Sequence, residues 1–300
     1  MSISVAIENA KKQIGPITKE QTAAVDWLTV TAKSAACRRA IYDQAIRDIA
    51  AIKAEGNNIK TWNWKNYTGL QCKGYRWGTR PDSDIWVLSG DQANDYWPAA
   101  LKLAENVTRI DLAVTVGLVA PETEFAWKIY LALQGQLNGK QRCKKFTYIT
   151  NNDGGQTLYV GSRASDQFGR LYDKGRENVK KLDLEPGILW RYEVEFKNAR
   201  AKRIAEQLSH LSCQPREIGN VLAATVQEWF FCRGVPTLLL KEPGDILGTS
   251  VAARVTDDQI TLEWLSSQVR PSVKRLVEAG KEYAVRQALG ISGIDSTEFS

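Results

Sequence analysis

Thr157–Glu177, TLYVGSRASDQFGRLYDKGRE, reads as two short β-strands joined by a polar turn, and the rest of the chain is organised around it. Side chains alternate across a strand, so Arg170, Tyr172 and Lys174 are expected on one side and Gly169, Leu171 and Asp173 on the other. A phenol set between two cations is a group that can bind and attack a phosphate. The same pattern also fits a purely structural tyrosine, so its reading depends on what the neighbouring segments supply.

Two other segments alternate as strongly. In VTRIDLAVTV, Ile110, Leu112, Val114 and Val116 form an apolar face and Arg109, Asp111, Ala113 and Thr115 the opposite one. An aspartate in mid-strand must be exposed, paired with a cation such as Arg109, or bound to a metal. In ILWRYEVEFKN, Trp190, Tyr192, Val194 and Phe196 share one face and Arg191, Glu193, Glu195 and Lys197 the other. Carboxylates two residues apart repel unless a cation lies between them, and such a pair suits the oxygen-loving ions Mg²⁺ and Mn²⁺. If the three strands lie side by side, their acidic and tyrosine positions share a single face.

Composition narrows the chemistry. The chain has 300 residues, 43% apolar and 25% charged, with a net charge of +6, and a modestly basic balance suits an acidic partner. The odd number of cysteines, scattered and without a C-x-x-C pair, argues for reduced thiols and against a disulfide framework or zinc site. A single histidine, His210, excludes triads and most zinc enzymes, so any catalysis runs on carboxylates, hydroxyls, amines and guanidinium groups. The opening residues hold no apolar run of signal-peptide length and no later run approaches a membrane span, which gives a cytoplasmic protein without a membrane partner as the expectation.

Elsewhere, AVDWLTVT from Ala24 reads as a first strand, and SAACRRAIYDQAIRDIAAIKAEG as a helix stopped by Gly56. The segment from Asn57 to Gly90 reads as twisted strands and turns. Its Trp62, Trp64, Tyr67, Tyr75 and Trp77, interleaved with Lys60, Lys65, Lys73 and Arg76, suit either a stacking surface for unpaired bases or aromatics packed on a sheet. DQANDYWPAALKLAENV and PETEFAWKIYLALQGQL read as helices. Lys140, Arg142, Lys144 and Lys145 form a basic cluster able to meet a phosphate backbone or to stand solvated in a loop. Most strands precede Asn198 and most helices follow it. The expected fold is therefore α+β, with a central, mostly antiparallel sheet, helices packed on one face, and a helical C-terminal extension.

VTRIDLAV, TLYVGSR with RLYDKGRE, and WRYEVEFK, in this order, resemble the replication initiation factor (Rep_trans) family of rolling-circle plasmid and phage initiators and related conjugative relaxases. The resemblance covers about Ala24 to Leu208. It implies a nicking domain over 24–210, which the residue pattern flanks with a flexible arm over 1–23 and a helical extension over 211–300. It also implies a site-specific DNA strand transferase in which Tyr172 attacks a phosphodiester, keeps the 5′ phosphate and frees a 3′ hydroxyl primer. Asp111, Glu193 and Glu195 match acidic positions that would hold Mg²⁺ or Mn²⁺. Arg170, Lys174 and Arg163 become candidates for phosphate contacts or for lowering the tyrosine pKa, and Arg109 and Arg191 for DNA contacts. The implied partners are origin DNA and the host helicase and replication machinery, with a homodimer as an open arrangement. Family members often carry a second aspartate where this chain has Thr115, which leaves the ligand set open. Two rivals remain: a non-catalytic DNA-binding regulator of the same fold, and a metal-independent tyrosine recombinase or topoisomerase.

Overall fold

The computed structural model describes residues 17–118, 120–135, 145–177, 185–211, 215–235, 246–248, 270–281 and 284–285. Its elements are β1 (Ile17–Ala32), α1 (Ala35–Ala54), β2 (Lys60–Trp64), β3 (Tyr67–Cys72), β4 (Tyr75–Arg80), β5 (Ser83–Ser89), α2 (Asp91–Leu103) and β6 (Asn106–Leu118). They continue with α3 (Phe125–Gly135), β7 (Phe146–Thr150), β8 (Gln156–Val160), β9 (Gln167–Asp173), β10 (Leu189–Lys197), α4 (Asn198–His210), α5 (Pro215–Phe231) and α6 (Arg270–Glu278). The chain divides into two compact units, Met1–Thr249 and Ser250–Ser300. The first holds the sheet with α1–α5, and α6 lies in the second.

The strands form one open ten-stranded sheet in the order β2-β3-β4-β5-β1-β6-β10-β9-β8-β7, and the paired strands run antiparallel. This is the expected α+β class, and the three alternating segments are neighbours as β6, β10 and β9. One side of the sheet carries the core: Leu28, Val30, Ile110, Leu112, Val114, Trp190, Tyr192, Val194, Phe196 and Leu171 are fully buried with the apolar faces of α1–α5. Because every one of these helices feeds that single core, no helix among the described residues covers the opposite sheet face. A small cluster of Tyr67, Ile85 and Val87, with Trp27 and Trp62 against it, gathers apolar side chains there, and Phe168 packs beside Tyr159 at the other end.

Local chemistry sets the boundaries. Ser34 caps α1 by accepting from the Cys37 amide, and Gly56, at φ 87°, ends that helix region in a conformation that glycine adopts freely. Pro271 stands in the first turn of α6, where its missing N–H costs nothing.

Two expected boundaries move. Residues 17–23, read as part of an arm, extend β1, because the far end of the long β6 finds its partners there: Val116 pairs with Gln21 and Leu118 with Ile17. Residues 1–16 lie outside the described residues. The second change concerns α5, assigned by sequence to the extension beyond 210. It belongs to the first unit, with Val226, Trp229 and Phe230 buried in the core and Phe230 edge-on to Tyr192 at 5.2 Å. Gly169 on β9 makes room for it, since a Cβ at that position would sit 2.3 Å from the Trp229 ring.

Candidate active site

Three rows of side chains cross the uncovered face. Antiparallel register places Trp27, Asp111, Glu195 and Phe168 in one row. The next row holds Ala24, Ala113, Glu193, Arg170 and Tyr159, and the third holds Thr22, Thr115, Arg191, Tyr172 and Thr157. Directly opposed residues share a face, so the nucleophile candidate, the three acids and three arginines converge as the alternation implied.

The acids are bound to the cations. Asp111, with 0% of its surface exposed, accepts from Arg109 Nε at 2.9 Å and Nη2 at 2.5 Å. Burial pushes its carboxyl well above the usual range, against the pull of Arg109. Arg109 Nη2 also reaches Glu195 Oε2 at 2.8 Å, and Lys197 Nζ holds Glu195 Oε1 at 2.6 Å. Arg170 Nη2 bonds Glu193 Oε1 and lies 3.7 Å from Asp111 Oδ2. Arg109, Arg170 and Lys197 thus balance Asp111, Glu193 and Glu195. The Nε of Arg170 is buried and has no hydrogen-bond partner, a donor held in reserve beside the pair.

Tyr172 lies opposite Arg191 on β10 and Thr157 on β8. Burial raises its pKa above that of an ordinary phenol, Glu193 raises it further, and Arg191 opposes the shift. Burial outweighs the pull of Arg191, so the net shift is upward. Strand β9 ends at Asp173, so Lys174 opens a short helical turn over 174–177. Its ammonium still lies 5.7 Å from the Tyr172 ring centre while bonding Glu177 at 2.8 Å. Asp173 faces the core side and accepts from the amides of Arg176 and Gly187, at 2.9 and 2.8 Å, which ties down the return to β10.

Asp26 escaped the sequence reading. A β-bulge between Val25 and Trp27 breaks the strict alternation of β1, and Asp26 reaches Arg191 Nη1 at 2.6 Å. The signal was present in AVDWLTVT, where strict alternation would bury the aspartate on the side of Leu28 and Val30. Thr115, the departure from the family pattern, accepts from Arg191 Nε at 3.0 Å, so this row braces a guanidinium beside the tyrosine.

The remaining candidates separate clearly. Arg163 stacks 4.6 Å above Tyr159 at the rim, beside Phe168. Lys145 is exposed next to the edge strand β7. Lys140, Arg142 and Lys144 lie outside the described residues. Of the alternative tyrosines, Tyr192 is fully buried on the core side, whereas Tyr159 shares the site face. No metal-ligand cluster of three acids, cysteines or histidines is assembled among the described residues. The donor type nevertheless suits a hard divalent ion, because Glu193 and Glu195 are carboxylates on the site face, although both oxygens of Glu195 and one of Glu193 are held by cations. Asp111 has both oxygens committed to Arg109.

A search of curated proteins gives no match. Among solved structures, a rolling circle replication initiator protein from Geobacillus stearothermophilus is similar at 18% identity, covering 71% of this chain and 86% of that one, with a TM-score of 0.49. The family model described as replication initiation factor matches residues 105–230, the segment that carries Asp111, Arg170, Tyr172, Glu193 and Glu195. Over that segment, the chain is similar to the replication initiation factor family.

Proposed function

We propose that the chain is the nicking and strand-transfer enzyme of rolling-circle replication, acting on origin DNA. The observation that carries this reading is the convergence of Tyr172, Arg170, Arg191, Glu193 and Glu195 on one face of two adjacent strands, β9 and β10. A packed core has no use for that set, and a scissile phosphate does. Tyr172 Oη attacks the phosphorus, an Oη–P bond to the 5′ phosphate replaces the P–O3′ bond, and the phenolic proton ends on the 3′ oxygen. The freed 3′ hydroxyl primes synthesis, and the reverse reaction rejoins strands.

Each neighbouring group has a place in this scheme. Arg191, fixed by Asp26 and Thr115, opposes the pKa rise of Tyr172. Arg170 holds a buried Nε without a hydrogen-bond partner, a donor that reaches a phosphate when the pair with Glu193 opens. Asp111 is a positioning residue that aims Arg109. Glu193 and Glu195 would hold Mg²⁺ or Mn²⁺, which supplies Lewis-acid polarisation of the phosphate when bound.

Supercoiled DNA bearing the cognate origin, incubated with Mg²⁺ or Mn²⁺ and separately with EDTA, tests the reading. A nicked product covalently joined to the protein is expected only with metal. Tyr172→Phe removes one oxygen and should lower the nicking rate by more than about 10³-fold with little change in thermal stability. Nicking in EDTA would favour the recombinase-like rival, and an active Tyr172→Phe would remove the assigned nucleophile.

A further inference from the structure

The uncovered face continues beyond the site, across β1, to the far edge strand. There β2, β3 and β4 carry Trp62, Trp64, Tyr67 and Arg76 toward the same side as Trp27 and Asp111, as the register from β2 through β6 requires. The rings are ordered as a stack: Trp62 and Trp64 lie 6.1 Å apart at 15°, and Trp64 and Tyr67 lie 6.5 Å apart at 18°. Trp62 rests over Gly78, where an added Cβ would come within 3.1 Å of the ring. The base of the stack is packed against Ile85 and Val87, yet Trp64 is 42% exposed.

Two features separate this patch from ordinary packing. Lys65 and Asn66 form the two-residue β2–β3 turn with φ of 45° and 68°, backbone that glycine adopts at lower cost. The turn nevertheless keeps a lysine, whose ammonium sits 4.7 Å over the Trp64 ring. Charge is the second feature. Among the described residues, no carboxylate is paired with Lys60, Lys65, Lys73 or Arg76. Toward the site, Arg76 and Arg109 both lie over Trp27, at 5.5 and 4.5 Å, which links the stack to the acid-bearing row.

We infer that this face is a stacking track for single-stranded DNA, with Trp62 and Trp64 as platforms for unpaired bases and Lys60, Lys65 and Arg76 as backbone contacts. Parallel rings with Trp64 exposed at the end accept any base, and cations without a carboxylate partner supply attraction for a phosphate chain. At about 4.8 Å per strand, β2 lies about 34 Å along the sheet from β9, a span of several nucleotides. The inference rests on the nicking role in one respect: the strand on the track is the one continuous with the phosphate at Tyr172.

Fluorescence anisotropy of the full chain with a labelled oligothymidylate of about 16 nucleotides, and with a duplex of equal length, tests it. Trp64→Ala should weaken single-strand binding at least about fivefold and Trp62→Ala/Trp64→Ala at least about tenfold, with a smaller loss on duplex. Trp64→Phe should restore most of the affinity, and Trp64→Ala, at an exposed position, should melt with wild type. Single-strand affinity within twofold of wild type in a folded Trp64→Ala, or equal losses on duplex, would overturn the track. A chain that binds through Trp64 but nicks nothing would sink the proposed function and leave the track standing. Normal nicking with Trp-independent single-strand binding would sink the track alone.

Discussion

The two halves of the uncovered sheet face treat charge in opposite ways. On β6, β10 and β9, Arg109, Arg170 and Lys197 are committed to Asp111, Glu193 and Glu195, and the cluster is neutral and largely buried. On β2–β4, Lys60, Lys65 and Arg76 stand among aromatic rings with no carboxylate partner among the described residues. A cation in the first half holds the fold together as well as serving chemistry. A cation in the second half is available to a ligand. The same kind of substitution should therefore give different readouts on the two sides.

Arg170→Met breaks this contrast most sharply. It leaves Glu193 buried without its bonded partner, and loss of one member of such a pair should cost about 3 kcal/mol in urea denaturation. Adding Glu193→Gln should recover much of that loss. Full stability in the single variant would mean that the cluster is more hydrated than its burial implies.

A pH series sharpens the same half. Because burial raises the Tyr172 pKa, the phenol is protonated throughout neutral pH, and the nicking rate should climb by about tenfold per unit from about pH 7 to 9 if the phenolate attacks. The sign for stability differs in its window. The folded state holds this proton more tightly than the unfolded chain, so the contribution is complete below the ordinary phenol value, about 10, and is lost as pH rises above it. Tyr172→Phe should remove that alkaline loss.

The smallest effect belongs to the aromatic half. Lys65→Ala should leave stability within about 0.5 kcal/mol, because no ion pair is broken and only an exposed cation–π contact is lost. It should weaken oligonucleotide binding a few-fold and lower the salt slope by about one. A large loss of stability with no change in binding would give both halves the same structural character.

Much of this was legible because alternation of period two survives burial. VTRIDLAVTV and LWRYEVEFK each separate into one apolar and one charged face, and the register then aligns them with RLYDK. What escaped was whatever breaks periodicity or depends on distant partners. The bulge at Asp26 is a local exception, invisible to a rule that assumes an even count. The commitment of Asp111 to Arg109, two residues away on the same face, was one of the readings available from sequence. Its choice followed only from the 0% exposure that makes an unpaired charge there costly. The place of α5 in the core depends on Gly169, sixty residues before Trp229, and nothing in either segment alone announces that contact.

The most direct measurement is the identity of the amino acid joined to DNA after reaction with an origin oligonucleotide. Nuclease digestion of the adduct followed by peptide mass spectrometry should find the nucleotide remnant on Tyr172, in the peptide containing Leu171 and Asp173. A remnant on Tyr159, which shares the same face two strands from β10, would contradict the assignment of the nucleophile.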